Sequence, residues 1–275
     1  MDKNILQEEI LKLITTYEHI GFYLTKNEIK SFLSCQVDDL YFDVVVEDLV
    51  SFGKIKKNSK RDIYWTSGVD PSDKKNYIYS DVKIAKNKLI LSLLSKIPSI
   101  LFIGITGSCA HEISKVDDDI DLILVTKKNS LFVTRALVLF ISHLFGKRRT
   151  ISGPVKNKLC VNILLEDGNL VVPYPKRTMF SVREMVNIRS YCDKNFIKDK
   201  LIISNKKLMQ QFTPNFKMEY DAFAKKNNIQ MIANIFSKNI NSTLMFIELW
   251  YLKPKVTNEL VNSRQLWFHP NTRQN

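Results

Sequence analysis

Ile100-Leu101-Phe102-Ile103-Gly104-Ile105-Thr106-Gly107-Ser108 and, a few residues on, Asp117-Asp118-Asp119-Ile120-Asp121-Leu122-Ile123-Leu124-Val125 decide how this chain reads. The first stretch opens as an apolar run of buried-strand type. It ends in a Gly-Ser bend followed by a segment long enough for one or two helical turns. The second is an acidic cluster that leads directly into another apolar strand. Gly107 lets the backbone approach a phosphate closely. Ser108 adds a hydroxyl, and the turn after it presents free amides. Asp119 and Asp121 stand two apart on a strand, so both side chains leave the same face. Carboxylates converging in this way can hold one or two Mg²⁺ ions against phosphates.

Outward from this centre, the spacing predicts strand, turn, helix, strand, helix, strand from Ser99 to about residue 195. A lysine-studded amphipathic helix precedes it and stops before Pro98. The first 69 residues read as a winged-helix-like module. Ile5, Ile10, Leu13, Ile14 and Tyr17 recur at helical spacing. Thr25 to Glu28 forms a capping box. A third helix runs from Asp38 or Asp39 to Phe52 with Gly53 beyond it. Two short strands, Lys54 to Lys57 and Asp62 to Trp65, flank the turn Asn58-Ser59-Lys60-Arg61. The third helix carries Asp39, Asp43 and Glu47 at four-residue spacing, and that face repels a polyanion. Specific DNA reading is therefore not expected of this module, despite a basic wing. Asp70-Pro71-Ser72-Asp73 marks a boundary. The expected organisation is 1–69, 70–195 and 196–275, the last mainly helical to near Trp250.

Gly107-Ser108, ten intervening residues, then Asp119-Ile120-Asp121 opening an apolar strand resembles the signature of the DNA polymerase β-like nucleotidyltransferase superfamily. Further segments resemble prokaryotic nucleotidyltransferase-domain proteins with a winged-helix-like N-terminus. These are Phe22-Tyr23-Leu24-Thr25 with Glu28, Leu131 to Arg135, Lys158 to Asn162, Ser181 to Glu184 and Phe268-His269-Pro270. The resemblance implies an α+β fold with a mixed-sheet nucleotidyltransferase core, the N-terminal module and a helical C-terminal region. It implies that Gly107 and Ser108 grip the triphosphate of an NTP, with ATP expected, and that Asp119 and Asp121 bind Mg²⁺ or Mn²⁺.

A third acid from a later strand completes the site in active members of that superfamily. The strand in question is Leu159 to Leu165. Leu159, Val161, Ile163 and Leu165 form one apolar face, leaving Cys160, Asn162, Leu164 and Glu166 on the other. Asn162 takes the third-acid position and completes the expected catalytic set, although a neutral amide is a poor proton acceptor. Glu166 shares that face but lies four residues further along, at roughly 3.3 Å per residue. Asp167-Gly168 reads as a tight turn.

Arg135, on the helix after the metal strand, either reaches the NTP or anchors its helix. Lys147-Arg148-Arg149 either complements a helix C-terminus or meets phosphate. Ser181 to Glu184 reads as a capping box and His111 as an exposed histidine without a role. Phe246, Trp250 and Tyr251 read as core.

With 41 Lys and Arg against 28 Asp and Glu, the formal charge of +13 favours anionic partners without naming one. Cys35, Cys109, Cys160 and Cys192 show neither C-x-x-C nor a histidine at ligand spacing, which argues against zinc or disulfide frameworks and fits a reducing cytoplasm. No apolar signal core opens the chain, and no run approaches a membrane span. The expected reaction is NMP transfer from an NTP to an acceptor that is RNA, a small molecule or a protein. Two rivals stand beside it, a nucleotide-binding regulator with weak turnover and a winged-helix DNA-binding regulator.

Overall fold

The computed structural model describes residues 2–19, 22–60, 62–68, 76–112, 114–150, 153–215, 234–252 and 259–268. The expected boundary at Asp70 to Asp73, Arg61 of the wing, and His269-Pro270 lie outside the described residues. The fold is α+β with mixed sheets, in two compact units: Met1–Tyr77 with Lys206–Glu219, and Ile78–Asn205 with Tyr220–Asn275.

The first unit contains α1 (Lys3–His19), β1 (Leu24–Thr25), α2 (Lys26–Phe32), α3 (Asp39–Ser51), β2 (Lys56–Asn58) and β3 (Ile63–Trp65). Leu6, Ile10, Ile14 and Tyr17 line one stripe of α1 and are buried against Phe32, Phe42, Val45 and Leu49. The Thr25–Glu28 capping box forms, so two of the orphan amides at the start of α2 are satisfied. Asp38 caps α3, and Gly53 follows it at φ +68°. The strands pair in the order β1-β3-β2, so Leu24–Thr25 adds a third strand to the expected hairpin. The acidic face of α3 is matched by lysines. Lys26 meets Asp43 at 2.8 Å, Lys57 meets Glu47 at 3.5 Å, Lys3 meets Asp48 at 2.5 Å, and Lys30 pairs with Asp39.

The second unit is built on a six-stranded sheet. Its elements are α4 (Asn76–Lys86), α5 (Lys88–Ser95), β4 (Ile100–Thr106), α6 (Gly107–Ala110), β5 (Ile120–Thr126), α7 (Leu131–Leu144), β6 (Leu159–Glu166), α8 (Met179–Val186), β7 (Arg189–Asp193) and α9 (Ile197–Ser204). The helix Lys206–Phe212 (α10) belongs to the first unit. After α11 (Asn234–Leu252), β8 (Leu260–Val261) and β9 (Gln265–Trp267) return to the sheet, so the C-terminal region is not purely helical. The strand order is β7-β4-β5-β6-β9-β8, with β5 and β6 parallel and the other pairs antiparallel.

Alternation along the strands divides the sheet into two faces. Ile103, Ile105, Ile120, Leu122, Leu124 and Leu164 pack with Ile90, Leu91 and Leu94 of α5 and Leu131, Phe132 and Val138 of α7. Each such fully buried side chain stabilises by about 1.5–3 kcal/mol. Phe102, Gly104 and Ile123 lie on the opposite face. A Cβ on Gly104 would stand 2.5 Å from the Ile188 side chain, so glycine lets the segment after α8 close on the sheet. Among the described residues, no helix is long and apolar enough to cross a membrane.

The register of β6 departs from simple alternation. Asp121 pairs with Cys160 and Leu122 with Val161, but Ile123 pairs with Ile163. Asn162 is thus the extra residue of a bulge, and the parity changes behind it. Leu159 and Val161 share the α5/α7 face with Leu164, not with Ile163 and Leu165. Glu166 consequently leaves on the α5/α7 face, opposite Asp121, and the expectation that it shares the site's face is corrected. Its carboxylate accepts from the Asn129 amide and lies 4.0 Å from Arg264.

Candidate functional site

The end of β4 and the start of β5 meet as neighbours, Thr106 opposite Asp121. Antiparallel partners project from the same face, so the Thr106 hydroxyl and the Asp121 carboxylate leave the sheet together. The chain then turns at Gly107, where φ is +62°. A Cβ there would lie 2.3 Å from Asp121 Oδ2. Glycine is required for two reasons, the left-handed backbone and the close approach of the carboxylate. The sequence-derived pairing of the Gly-Ser bend with the acidic strand is therefore a contact in the structure.

The five residues Asp117 to Asp121 divide their work. Asp117 points outward and pairs with Lys156 at 3.4 Å. Asp118 is a staple, its Oδ2 accepting from Ser108 Oγ at 3.1 Å and from the Lys115 amide at 2.8 Å. Buried Lys83 pins the same loop, donating to the carbonyls of Val116 and Asp118, and burial lowers its pKa. Asp119 and Asp121 remain. Ser108, expected on a triphosphate, has its hydroxyl on Asp118.

Among the described residues, Asp119, Asp121 and Cys160 form a group whose ligand atoms all lie within 4.8 Å of one another. The parallel register explains Cys160, which is the direct partner of Asp121. Asn162 Nδ2 donates to Asp121 Oδ1, and its own Oδ1 accepts from Cys160 Sγ at 3.1 Å. Asn162 thus joins the site as a brace between two members, on the bulge that turns it there. Burial pushes the Asp121 carboxyl up to about 8, reinforced by the charges of Asp119 and Glu184. Burial and the same two aspartates push the Cys160 thiol up to about 12.

One cation and a further acid border the site. Arg149 Nε donates to Asp119 Oδ2 at 3.1 Å. Chain geometry makes this possible. From Asp119 to Thr126 the strand advances roughly 23 Å, and α7 returns roughly 21 Å over its length. Its exit therefore lies beside the acidic end of β5. The same arithmetic removes Arg135, only one turn into α7 and near the far end of the strand. Its guanidinium pairs with Glu248 and lies 5.2 Å from the Phe268 ring centroid, which corrects its expected place on the NTP and leaves the anchoring alternative.

Glu184 and His111 are also placed differently from the sequence reading. α8 is capped by Thr178, whose side chain accepts from the Ser181 amide, so the 181–184 capping box does not form. Glu184 instead reaches the site. Its Oε2 accepts from the Gly107 amide at 2.8 Å, and its Oε1 lies 2.9 Å from His111 Nε2. Both side chains are more than nine-tenths buried, so His111 is not an exposed bystander. On α11, Phe246, Trp250 and Tyr251 are exposed and not core.

Two carboxylates, a thiol and a bracing amide suit a divalent cation better than they suit one another. Thr106 Oγ1 adds an independent sign of a ligand. It is 2% exposed, has no hydrogen-bond partner, and sits opposite Asp121. A buried hydroxyl left in this state costs about 1–3 kcal/mol unless a bound group or water satisfies it. The residues present therefore fit a cation with its bound oxygens. No family model, no curated protein and no solved structure matches this chain.

Proposed function

We propose that this chain is a divalent-cation-dependent nucleotidyltransferase. The reaction moves NMP from an NTP to an acceptor hydroxyl or phosphate. The acceptor oxygen bonds to the α-phosphorus, the bond to the β-phosphate oxygen breaks, and pyrophosphate leaves. The observation that carries this reading is the Gly107 bend pressed against Asp121, with Asp119 beside it. Mg²⁺ or Mn²⁺, when bound, supplies charge neutralisation at the phosphates.

In this proposal Asp119 and Asp121 hold the cation, and Asn162 keeps the Asp121 carboxylate oriented. Gly107 leaves room for the triphosphate beside that carboxylate, and Ser108 fixes the loop through Asp118. Asn162 donates to Asp121 and takes no proton, so the acceptor's proton passes to solvent or to the departing pyrophosphate. Arg149, at the rim on Asp119, is positioned to exchange that carboxylate for a phosphate oxygen. The first unit is read as a winged-helix-like docking module and the chain as cytoplasmic. The α3 carboxylates, each already in an ion pair, offer phosphates no row of cations.

A second reading, nucleotide binding with weak turnover, is favoured by one contact. The Gly107 amide, which the first reading offers to phosphate, is donated to Glu184. One assay separates the two. Each labelled NTP is incubated with Mg²⁺ or Mn²⁺ and cell extract, using wild type and an Asp119→Ala, Asp121→Ala double variant. Transfer lost in the variant supports the enzyme, and transfer unchanged in it refutes the mechanism. Saturable NTP binding without pyrophosphate release supports the second reading.

A further inference from the structure

Superposed on the aspartate pair is a residue the reaction chemistry does not call for. Cys160 is the parallel-register partner of Asp121, and its Sγ lies within 4.8 Å of a carboxylate oxygen from both aspartates. Two residues on, at the strand bulge, Asn162 has its amide nitrogen on Asp121 and its amide oxygen on the thiol. Asn162 therefore braces the cluster, and Cys160 supplies its third donor atom. Donors around a four-coordinate ion with bonds of about 2.0–2.3 Å lie roughly 3.6 Å apart. The three atoms, all within 4.8 Å of one another, exceed that separation by about 1 Å at most.

We propose that Cys160 Sγ is the third protein ligand of the cation held by Asp119 and Asp121, so that the site takes a sulfur-tolerant divalent cation such as Zn²⁺ or Co²⁺ in preference to Mg²⁺. The proposal rests on the cation site of the preceding reading. Sulfur ligands select zinc and similar ions, whereas an all-oxygen set suits magnesium. One thiolate with two carboxylates is a borderline donor set. Binding breaks the Sγ–H bond, forms a sulfur–metal bond and sends the proton to solvent, with no change of oxidation state. Thr106, whose buried hydroxyl has no partner, is the strand neighbour of Asp121, and an oxygen ligand held at this site would satisfy it.

The test is Co²⁺ titration of the full chain, wild type against Cys160→Ser, with absorbance recorded from the near ultraviolet to the visible. The expected result is a sulfur-to-cobalt charge-transfer band in wild type that is lost in the variant. Cys160→Ser is expected to weaken Co²⁺ or Zn²⁺ binding roughly tenfold or more, by calorimetry, and Mg²⁺ binding by less than about twofold. Zn²⁺ should also protect Cys160, and none of Cys35, Cys109 or Cys192, from alkylation mapped by mass spectrometry. Cobalt bound by wild type without the sulfur band overturns the proposal and leaves the aspartate site standing. A band that persists in Cys160→Ser overturns it in favour of another cysteine. Absence of any divalent-cation binding, Mg²⁺ included, overturns this proposal and the cation-dependent reading together.

Discussion

Replacing Asp121 by asparagine should make the cation-free protein more stable, and increasingly so as pH rises. The carboxyl is pushed up to about 8 from an ordinary 3.8, first by burial and then by the charges of Asp119 and Glu184. A folded-state pKa above the unfolded one means that the folded chain holds the proton more tightly. Its contribution is then fully present below about pH 4, and is lost progressively until pH passes about 8. Four units correspond to at most about 6 kcal/mol over the whole window. The carboxyl retains a small solvent window, which reduces that ceiling. Between pH 6 and pH 9 the expected loss is about 2–3 kcal/mol in wild type and absent from Asp121→Asn. Urea denaturation of both proteins at the two pH values measures it, with chelator present. The variant's advantage should grow with pH and should reverse when saturating divalent cation is added to wild type. An equal stability difference at pH 6 and pH 9 would refute the account of Asp121 as an unneutralised buried acid.

Gly107→Ala places a Cβ against Asp121 Oδ2 at positive φ and should cost about 1–3 kcal/mol by denaturation. A variant as stable as wild type would show that the bend does not press on the carboxylate. Glu184→Ala removes the acceptor of the Gly107 amide and the partner of His111 and should cost about 1–3 kcal/mol, whereas Glu184→Gln, which keeps an acceptor, should cost less. Arg149→Ala should change stability by less than about 1 kcal/mol and tighten divalent-cation binding by up to about fivefold, since Asp119 loses a competing partner. Arg135→Ala should destabilise by about 2–3 kcal/mol through Glu248 and Phe268 and leave calorimetric cation affinity unchanged.

The core of the fold was legible because β4 and β5 are largely apolar runs with the site residues at their ends. Gly107 and Asp121 could be paired from sequence, since a glycine before a short turn and a carboxylate at a strand start become neighbours once β4 and β5 lie antiparallel. The Thr25–Glu28 capping box was legible for the same reason, being a contact three residues long. What was not legible depends on register and on long-range closure. The bulge at Asn162 has no marker such as glycine or proline, and counting by twos through it sends Glu166 to the wrong face. Cys160 was visible on the polar face of its strand, but its partnership with Asp121 needed the parallel register. Arg149 and Glu184 reach the site from 30 and 63 residues after Asp119 and Asp121, respectively. Only the matched lengths of α7 and β5, or the packing of α8 on the sheet, bring them there.

The electrostatics of the cluster argue for a ligand more strongly than any single contact. Other buried or partly buried acids of the second unit have structural donors. Glu166 accepts from the Asn129 amide, Glu248 faces Arg135, and Glu184 accepts from the Gly107 amide and meets His111. Among the described residues, none of the lysines, arginines or histidines forms an ion pair with Asp121. Its hydrogen bond comes from Asn162, and an asparagine at position 121 would accept that bond equally well. A structural role is therefore met by the neutral side chain at lower cost. The sequence instead keeps a carboxylate where burial, Asp119 and Glu184 all oppose its charge, beside a hydroxyl without a partner. Such an arrangement is favourable once a cation is added, because the same carboxylates that repel one another then share one positive charge centre.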